Sequence, residues 1–81
     1  MKLYKISQLV NTGYDTFSSA VVAAKDKKAA QNTHPNGRLD WNGKESLYGE
    51  WASAEDVKVE LIGTAVEGTK AGVICASFHA G

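Results

Sequence analysis

The chain has one cysteine, one proline and no long run of apolar residues. A single thiol cannot form an internal disulfide, and Cys75 lies in the apolar run GVICASF, so we expect a buried structural thiol. The longest apolar run, residues 20–24, is far shorter than the roughly 18 residues that cross a bilayer. The N-terminus also lacks the apolar core of a signal peptide. These absences predict a cytoplasmic protein without a membrane partner.

Residue types that carry enzyme and metal chemistry are few and scattered. The candidates are His34, Asp40, Cys75 and His79, and they show no metal-ligand spacing. Cys75 and His79 would lie about 13 Å apart on a strand, too far for a catalytic pair. A pairing of Cys75 with His34 stays open, although a solvated His34 at a helix end is the ordinary alternative. The glycines of GTAVEGTKAG do not follow the order of a phosphate-binding loop. We therefore expect no metal, no cofactor and no enzymatic activity.

The 81 residues are expected to form one domain, residues 1–81, with a small core. Nine basic and nine acidic residues give a net charge of zero, but their distribution is uneven. Residues 1–44 hold seven basic against three acidic residues (+4), and residues 45–81 hold two against six (−4). If strands of both halves alternate in one sheet, much of this asymmetry cancels between neighbours. If it survives folding, it suits the steering of a charged protein partner.

The first half of the chain predicts two strands and a short helix. Residues 2–9 and 16–24 are typical of strands, and a turn at about residues 11–13 would pair them antiparallel. Asp26 is a good N-cap, and Pro35 ends the helix at or before His34. A helix of about two turns is stable only when it packs on a sheet.

The second half predicts two further strands after a long irregular segment. Residues 35–52 are functional, mobile, or hide a short strand near residues 46–51. Residues 53–56, SAED, have the spacing of a capping box and predict one helical turn. Residues 57–63 alternate clearly, and residues 73–78 are apolar on both faces, which favours a central, covered strand. The predicted fold is α+β: an antiparallel sheet of about four strands with one short helix on one face, in the order ββαββ.

The irregular segment holds residue types that dominate protein-binding sites. We predict a partner-binding surface made of residues 34–51 and the neighbouring basic helix, and its residues are Arg38, Trp41, Tyr48, Trp51, Lys27 and Lys28. The alternative is that the tryptophans only cover the sheet. It is the favoured reading for Trp51, whereas for Trp41 the two are evenly balanced.

A protein partner is expected in preference to nucleic acid. Residues 25–28, KDKK, form the only basic cluster, and the chain has zero net charge and a single arginine. A nucleic-acid accessory role for this cluster stays open as an alternative. The two sheet edges could also add a strand, which would produce a homodimer.

The segments YDTFSSAVVAA, HPNG, VKVELIGTA and GVICASFHAG together resemble a family of short bacterial and phage proteins whose activity is not established. The likeness covers nearly the whole chain, and its ending is the most specific part. The resemblance implies a phage or mobile-element accessory protein. By analogy of class, such a protein binds and blocks a host defence protein, as anti-CRISPR proteins do. The sequence thus predicts a non-enzymatic protein-binding module, with a structural homodimer as a further alternative.

Overall fold

A computed structural model describes residues 1–38, 41–45 and 49–79. It contains strands β1 (Lys2–Ser7) and β2 (Thr16–Ala24), helix α1 (Lys27–Gln31), a 3₁₀ turn (Ala54–Asp56), and strands β3 (Lys58–Thr64) and β4 (Gly72–His79). The four strands form one antiparallel sheet in the order β3-β1-β2-β4. The predicted α+β fold with the element order ββαββ is confirmed. No helix among the described residues has the length and apolar character to cross a membrane.

One face of the sheet carries the core and the other is open. Alternation along β1 and β2 sends Tyr4, Ile6, Ala20 and Val22 to the same side, where they are buried. Helix α1 contacts β1, β2 and β3, and its Ala30 joins this core. On the opposite face a shallow groove runs between β1, β2 and β4, and among its lining residues are Lys5, Ser19, Val21, Cys75 and Ser77.

Hydrogen bonds of a buried glutamine organise the connection between β1 and β2. The side-chain amide of Gln8 donates to the carbonyls of Asn11 (2.6 Å) and Phe17 (2.8 Å). Its oxygen accepts from the backbone N–H groups of Val10 and Asn11, both at 2.8 Å. Because Gln8 satisfies several backbone groups at once, it fixes the turn that the sequence predicted near residues 11–13.

Helix α1 begins as predicted, whereas the second helical turn begins differently. The Asp26 carboxylate accepts a hydrogen bond from the backbone N–H of Ala29 at 2.8 Å, and the helix ends at Gln31, before Pro35. The turn at Ala54–Asp56 is present, but Ser53 makes no side-chain cap hydrogen bond. Its hydroxyl instead accepts from the backbone N–H of Glu45 at 3.1 Å. The predicted capping box is therefore wrong, because the hydroxyl holds the preceding loop.

Strand β4 lies at the edge of the sheet, so the prediction of a central, covered strand is wrong. Its residues are mostly exposed, and Cys75 is an exposed thiol instead of the expected buried one. The prediction relied on the small and apolar residues that β4 carries on both faces. This pattern does not show whether β4 has a neighbouring strand on one side or on both sides. The central positions belong to β1 and β2.

The charge asymmetry of the two halves is partly cancelled in the sheet. β1 and β2 come from the basic half and form the centre, and β3 and β4 come from the acidic half and form the edges. Lys5 lies opposite Glu60 across the β1–β3 pair, which places opposite charges on neighbouring strands. Lys27 and Lys28 lie on α1, outside the sheet, and are exposed.

The N-cap of α1 gives a direct test of the fold. Asp26→Ala should lower the free energy of unfolding by about 1 kcal/mol, because the N–H of Ala29 loses its acceptor. Asp26→Asn is the matched control, since asparagine caps about as well as aspartate. Urea unfolding of the two variants measures the difference. Equal destabilisation by Ala and Asn would show that the carboxylate charge, and not the cap, matters.

Candidate functional site

A buried imidazole lies beneath the loop that covers the sheet. His34 is only 1% exposed, so the alternative of a solvated histidine at the helix end is wrong. Its Nδ1 accepts a hydrogen bond from the backbone N–H of Asn36 at 3.1 Å, and its Nε2 lies 3.5 Å from a carboxylate oxygen of Glu50. Because Nδ1 accepts, the neutral ring carries its proton on Nε2, on the side of Glu50.

Aromatic rings enclose the imidazole. Trp41 lies at a centroid distance of 5.3 Å and an interplanar angle of 84°, and Phe17 at 6.2 Å and 86°. Both are edge-to-face contacts of favourable geometry. The indole N–H of Trp41 donates to the carbonyl of Lys44 at 2.8 Å. Trp41 therefore packs against the core with part of its surface in solvent.

The second tryptophan belongs fully to the core. Trp51 is 1% exposed and packs in the cluster that includes Tyr4, Ile6 and Val22. Its indole N–H is buried and finds no hydrogen-bond partner in the described part of the chain. Its side chain is therefore core cover, the alternative favoured by the sequence, and is not accessible to a partner in this fold. Tyr48, the third aromatic of the predicted surface, lies outside the described residues.

Backbone contacts hold the described part of the irregular segment against the sheet. The N–H of Phe17 donates to the carbonyl of Glu50 at 2.9 Å, and the N–H of Ala54 donates to that of Gly43 at 2.8 Å. The side chain of Asn11 donates to the carbonyl of Trp51 at 3.0 Å. Residues 46–48 of the predicted short strand lie outside the described residues, and residues 49–51 are not in a strand. The segment acts as a covering layer.

Burial sets the electrostatics of His34. Desolvation lowers the pKa of the imidazole below its ordinary value of 6.5. The Glu50 carboxylate acts in the opposite direction, Arg38 lowers the pKa further, and a hydrogen bond with the side chain of Asn36 raises it. The net pKa is lowered, so the ring is neutral at neutral pH. A neutral, enclosed imidazole supports the packing of the loop.

Arg38 and the basic helix border one shallow groove. Its volume is about 280 Å³. It lies between the end of β2, helix α1, the N-terminus and the start of β4, and its lining residues are Met1, Ala23, Ala24, Lys25, Ala29, Asn32, Thr33, Arg38, Ala71 and Gly72. Lys27 and Lys28, predicted to contact a partner, are exposed on α1 beside Lys25. The structure thus gathers the predicted cations around the helix and places Trp41 and Trp51 in the cover of the core.

The structure separates the thiol from the buried histidine. Cys75 lines the groove on the open face of the sheet, whereas His34 is buried beneath the loop layer that covers the other face. The catalytic pairing that the sequence left open is therefore not formed. Within residues 1–38, 41–45 and 49–79, no group of three or more His, Cys, Asp or Glu could hold a metal ion.

Several site residues escaped the sequence analysis. Phe17 and Glu50 enclose His34 from distant parts of the chain, and Ala29 and Ala71 line the basic groove beside Lys25, which the sequence singled out only for the nucleic-acid alternative. The HPNG turn was a local signal that the His34 side chain could form a hydrogen bond with the backbone two residues later. The other contacts depend on sheet order, which no single segment encodes.

No family model, curated protein or solved structure matches this chain. The likeness to short bacterial and phage proteins therefore stays a prediction.

His34 predicts how stability depends on pH. The unfolded chain binds a proton at His34 near pH 6.5, whereas the folded chain binds it only at lower pH. The free energy of unfolding should therefore fall as the pH is lowered from about 7.5 to about 5.5, and this contribution should level off below the folded pKa. Urea unfolding across this range measures the slope.

His34→Asn is the control for this slope, because it keeps an acceptor near the position of Nδ1 and does not titrate. The exposed His79 is common to both proteins. The variant should show a shallower loss of stability towards acid than the parent. Identical slopes would mean that His34 does not contribute to the linkage.

Proposed function

We propose that this protein is a non-enzymatic protein-binding module, an accessory protein of a phage or mobile element that blocks a host protein by occlusion. The contact surface is the basic groove and the helix beside it, with Lys25, Lys27, Lys28 and Arg38 as its cations. The observation that carries the proposal is the combination of an apolar floor with basic residues and no acidic one among the described lining residues.

The floor of the groove suits a protein side chain. It consists of small or flexible apolar residues, including Met1, Ala23, Ala24 and Ala29. Its volume of about 280 Å³ lies just below the range of about 300–1,000 Å³ that is typical of small-molecule pockets. A short apolar side chain of a partner fits such a floor, and the surrounding partner surface contacts the rim.

Charge gives the surface its preference. Lys25 and Arg38 lie at the groove, and Lys27 and Lys28 extend the positive surface along α1. Asp26 lies between these lysines and keeps its negative charge although its carboxylate accepts from the N–H of Ala29, so residues 25–28 have three positive charges against one negative charge. The surface therefore favours an acidic protein partner. Complementary charge speeds encounter and sets orientation, and the apolar contact supplies affinity.

The nucleic-acid alternative uses the same cations. Phosphate binding would need only the positive charge, and the alanine floor would contribute nothing to it. The apolar floor therefore favours a protein partner. Binding of the purified protein to double- and single-stranded DNA, measured against salt concentration, separates the two functions.

Partner capture tests the proposed surface. A Lys25→Glu and Arg38→Glu double variant should lose capture of an acidic bacterial protein that the parent retains from lysate, because the groove rim then repels the partner. Quantitative mass spectrometry of the retained proteins measures the loss. The identified partner is then tested with purified components.

A Lys44→Glu and Lys58→Glu double variant is the matched control. It changes the net charge by the same amount at exposed positions outside the groove. The control should retain the partner, and circular dichroism should show both variants folded. Equal loss in both variants would show a general charge effect. Salt-sensitive DNA binding by the parent without a captured protein would support the nucleic-acid role instead.

A further inference from the structure

Strand β4 presents an unusually unprotected edge. It pairs with β2 on one side, and no described strand lies on its other side. Residues 72–78 carry no charged side chain. The opposite edge, β3, carries Lys58 and Glu60. Charged residues on an edge strand discourage strand addition, so of the two edges β4 is the one open to it.

Residues 75–79 of β4 run without an extra residue. The register shifts at Ile74, where Val73 lies opposite Val22 and Cys75 lies opposite Val21, and a second shift between Phe17 and Ser19 leaves its extra residue, Ser18, on β2. Ile74 is 53% exposed and Phe78 47% exposed. The Phe78 ring lies 4.7 Å from that of Phe17, which is packed against the core. Through the contact of Phe78 with Phe17, the apolar core therefore extends to the exposed edge of the sheet.

We propose that a second copy of this chain adds to β4 antiparallel, with a two-fold axis at Ser77, and forms a continuous eight-stranded sheet. This register places Ala76 of one copy opposite Phe78 of the other. Alternation puts both on the helix-bearing face, where Ala76 lies opposite the buried Ala20. The large ring of one copy thus covers the small residue of the other, twice in the dimer.

The second copy fits this edge because the interface is self-complementary. Identical strands meet across a two-fold axis, so a charged residue on the axis would lie opposite the same residue of the other copy, and charges beside the axis would lie close to their symmetry-related copies. Residues 75–78 carry none, and the net charge of the chain is zero, so no long-range repulsion opposes association. Pairing of β4 with β3 of another copy would instead form open chains, and the charged β3 edge disfavours it.

The dimer leaves the basic groove accessible. The groove meets β4 at Gly72, opposite Ala23, whereas the two-fold axis lies at the other end of the strand, where Phe78 pairs with Phe17. Each dimer therefore displays two grooves. The dimer does not depend on the proposed partner. A negative result in the sedimentation experiment would therefore contradict only the dimer, and a negative result in partner capture would contradict only the proposed function.

Charge substitution at the axis tests the dimer in the full chain. Sedimentation velocity over a concentration series should show the parent as a dimer. Ser77→Lys and Ser77→Glu should each shift the protein to monomer, because like charges meet at the axis. An equimolar mixture of the two variants should restore the dimer, because unlike charges then meet. Ser77 is exposed, so both side chains can be placed without entering the core.

Ile62→Lys is the matched control, at an exposed bulge position of the β3 edge. It should remain dimeric. A monomeric parent at all concentrations, dimers of either Ser77 variant alone, or dissociation by Ile62→Lys would each overturn the proposal.

A cross-link gives a measurement that does not depend on the charged variants. In a Cys75→Ser background, Ser77→Cys should form a disulfide-linked dimer on mild oxidation, because the axis brings the two introduced thiols together. The parent thiol at Cys75 would face His79 of the other copy and should cross-link much less. Efficient cross-linking through Cys75 and none through Ser77→Cys would overturn the proposed register.

Discussion

The structure depends on covering one face of a four-stranded sheet with very few residues. The inner face is built largely from small side chains such as Ala20 and Val22, and the five-residue helix contributes a single buried residue, Ala30. A chain of this length has little other surface to bury. Trp51 and His34 supply the missing volume and are among the largest fully buried side chains. The irregular segment begins directly after His34 and carries Trp51 over the sheet, so both side chains belong to the connection between α1 and β3.

Using an imidazole as cover has electrostatic consequences that an apolar residue would avoid. Both ring nitrogens need partners once water is excluded, and the backbone of Asn36 and the carboxylate of Glu50 lie beside them. The ring stays neutral, and its neutrality couples the packing of the loop to pH. Trp51 differs, because its buried indole N–H is unpaired among the described residues. The large apolar surface of Trp51 offsets the cost of that unpaired donor.

Local sequence patterns predicted the strands and the helix of this fold. The order of the strands in the sheet, which depends on contacts distant in sequence, determined which residues are buried. The bounds of β2, the Asp26 cap and the stop before Pro35 follow from side chains that act within a few residues. The edge position of β4 and the exposure of Cys75 could not be predicted, since apolar periodicity reports faces but not neighbours. For the candidate site, residue type singled out Arg38, Lys27 and Lys28, which the structure places at exposed positions, and their role in binding stays a prediction. It did not separate the half-exposed Trp41 from the buried Trp51, because the same aromatic residues serve contact surfaces and cores.

The position of the basic groove follows from the order of the strands. β2 lies between β1 and β4, so its end at Ala24 meets the start of β4 at one corner of the sheet. The chain leaves this corner directly into Lys25 and α1, which concentrates basic residues where the floor is alanine. Lys5, in contrast, lies within β1, directly opposite Glu60 of β3. The positive charge of the first half therefore survives folding mainly at this corner, and the proposed contact surface follows the connection from β2 to α1 more than the tryptophan-bearing loop.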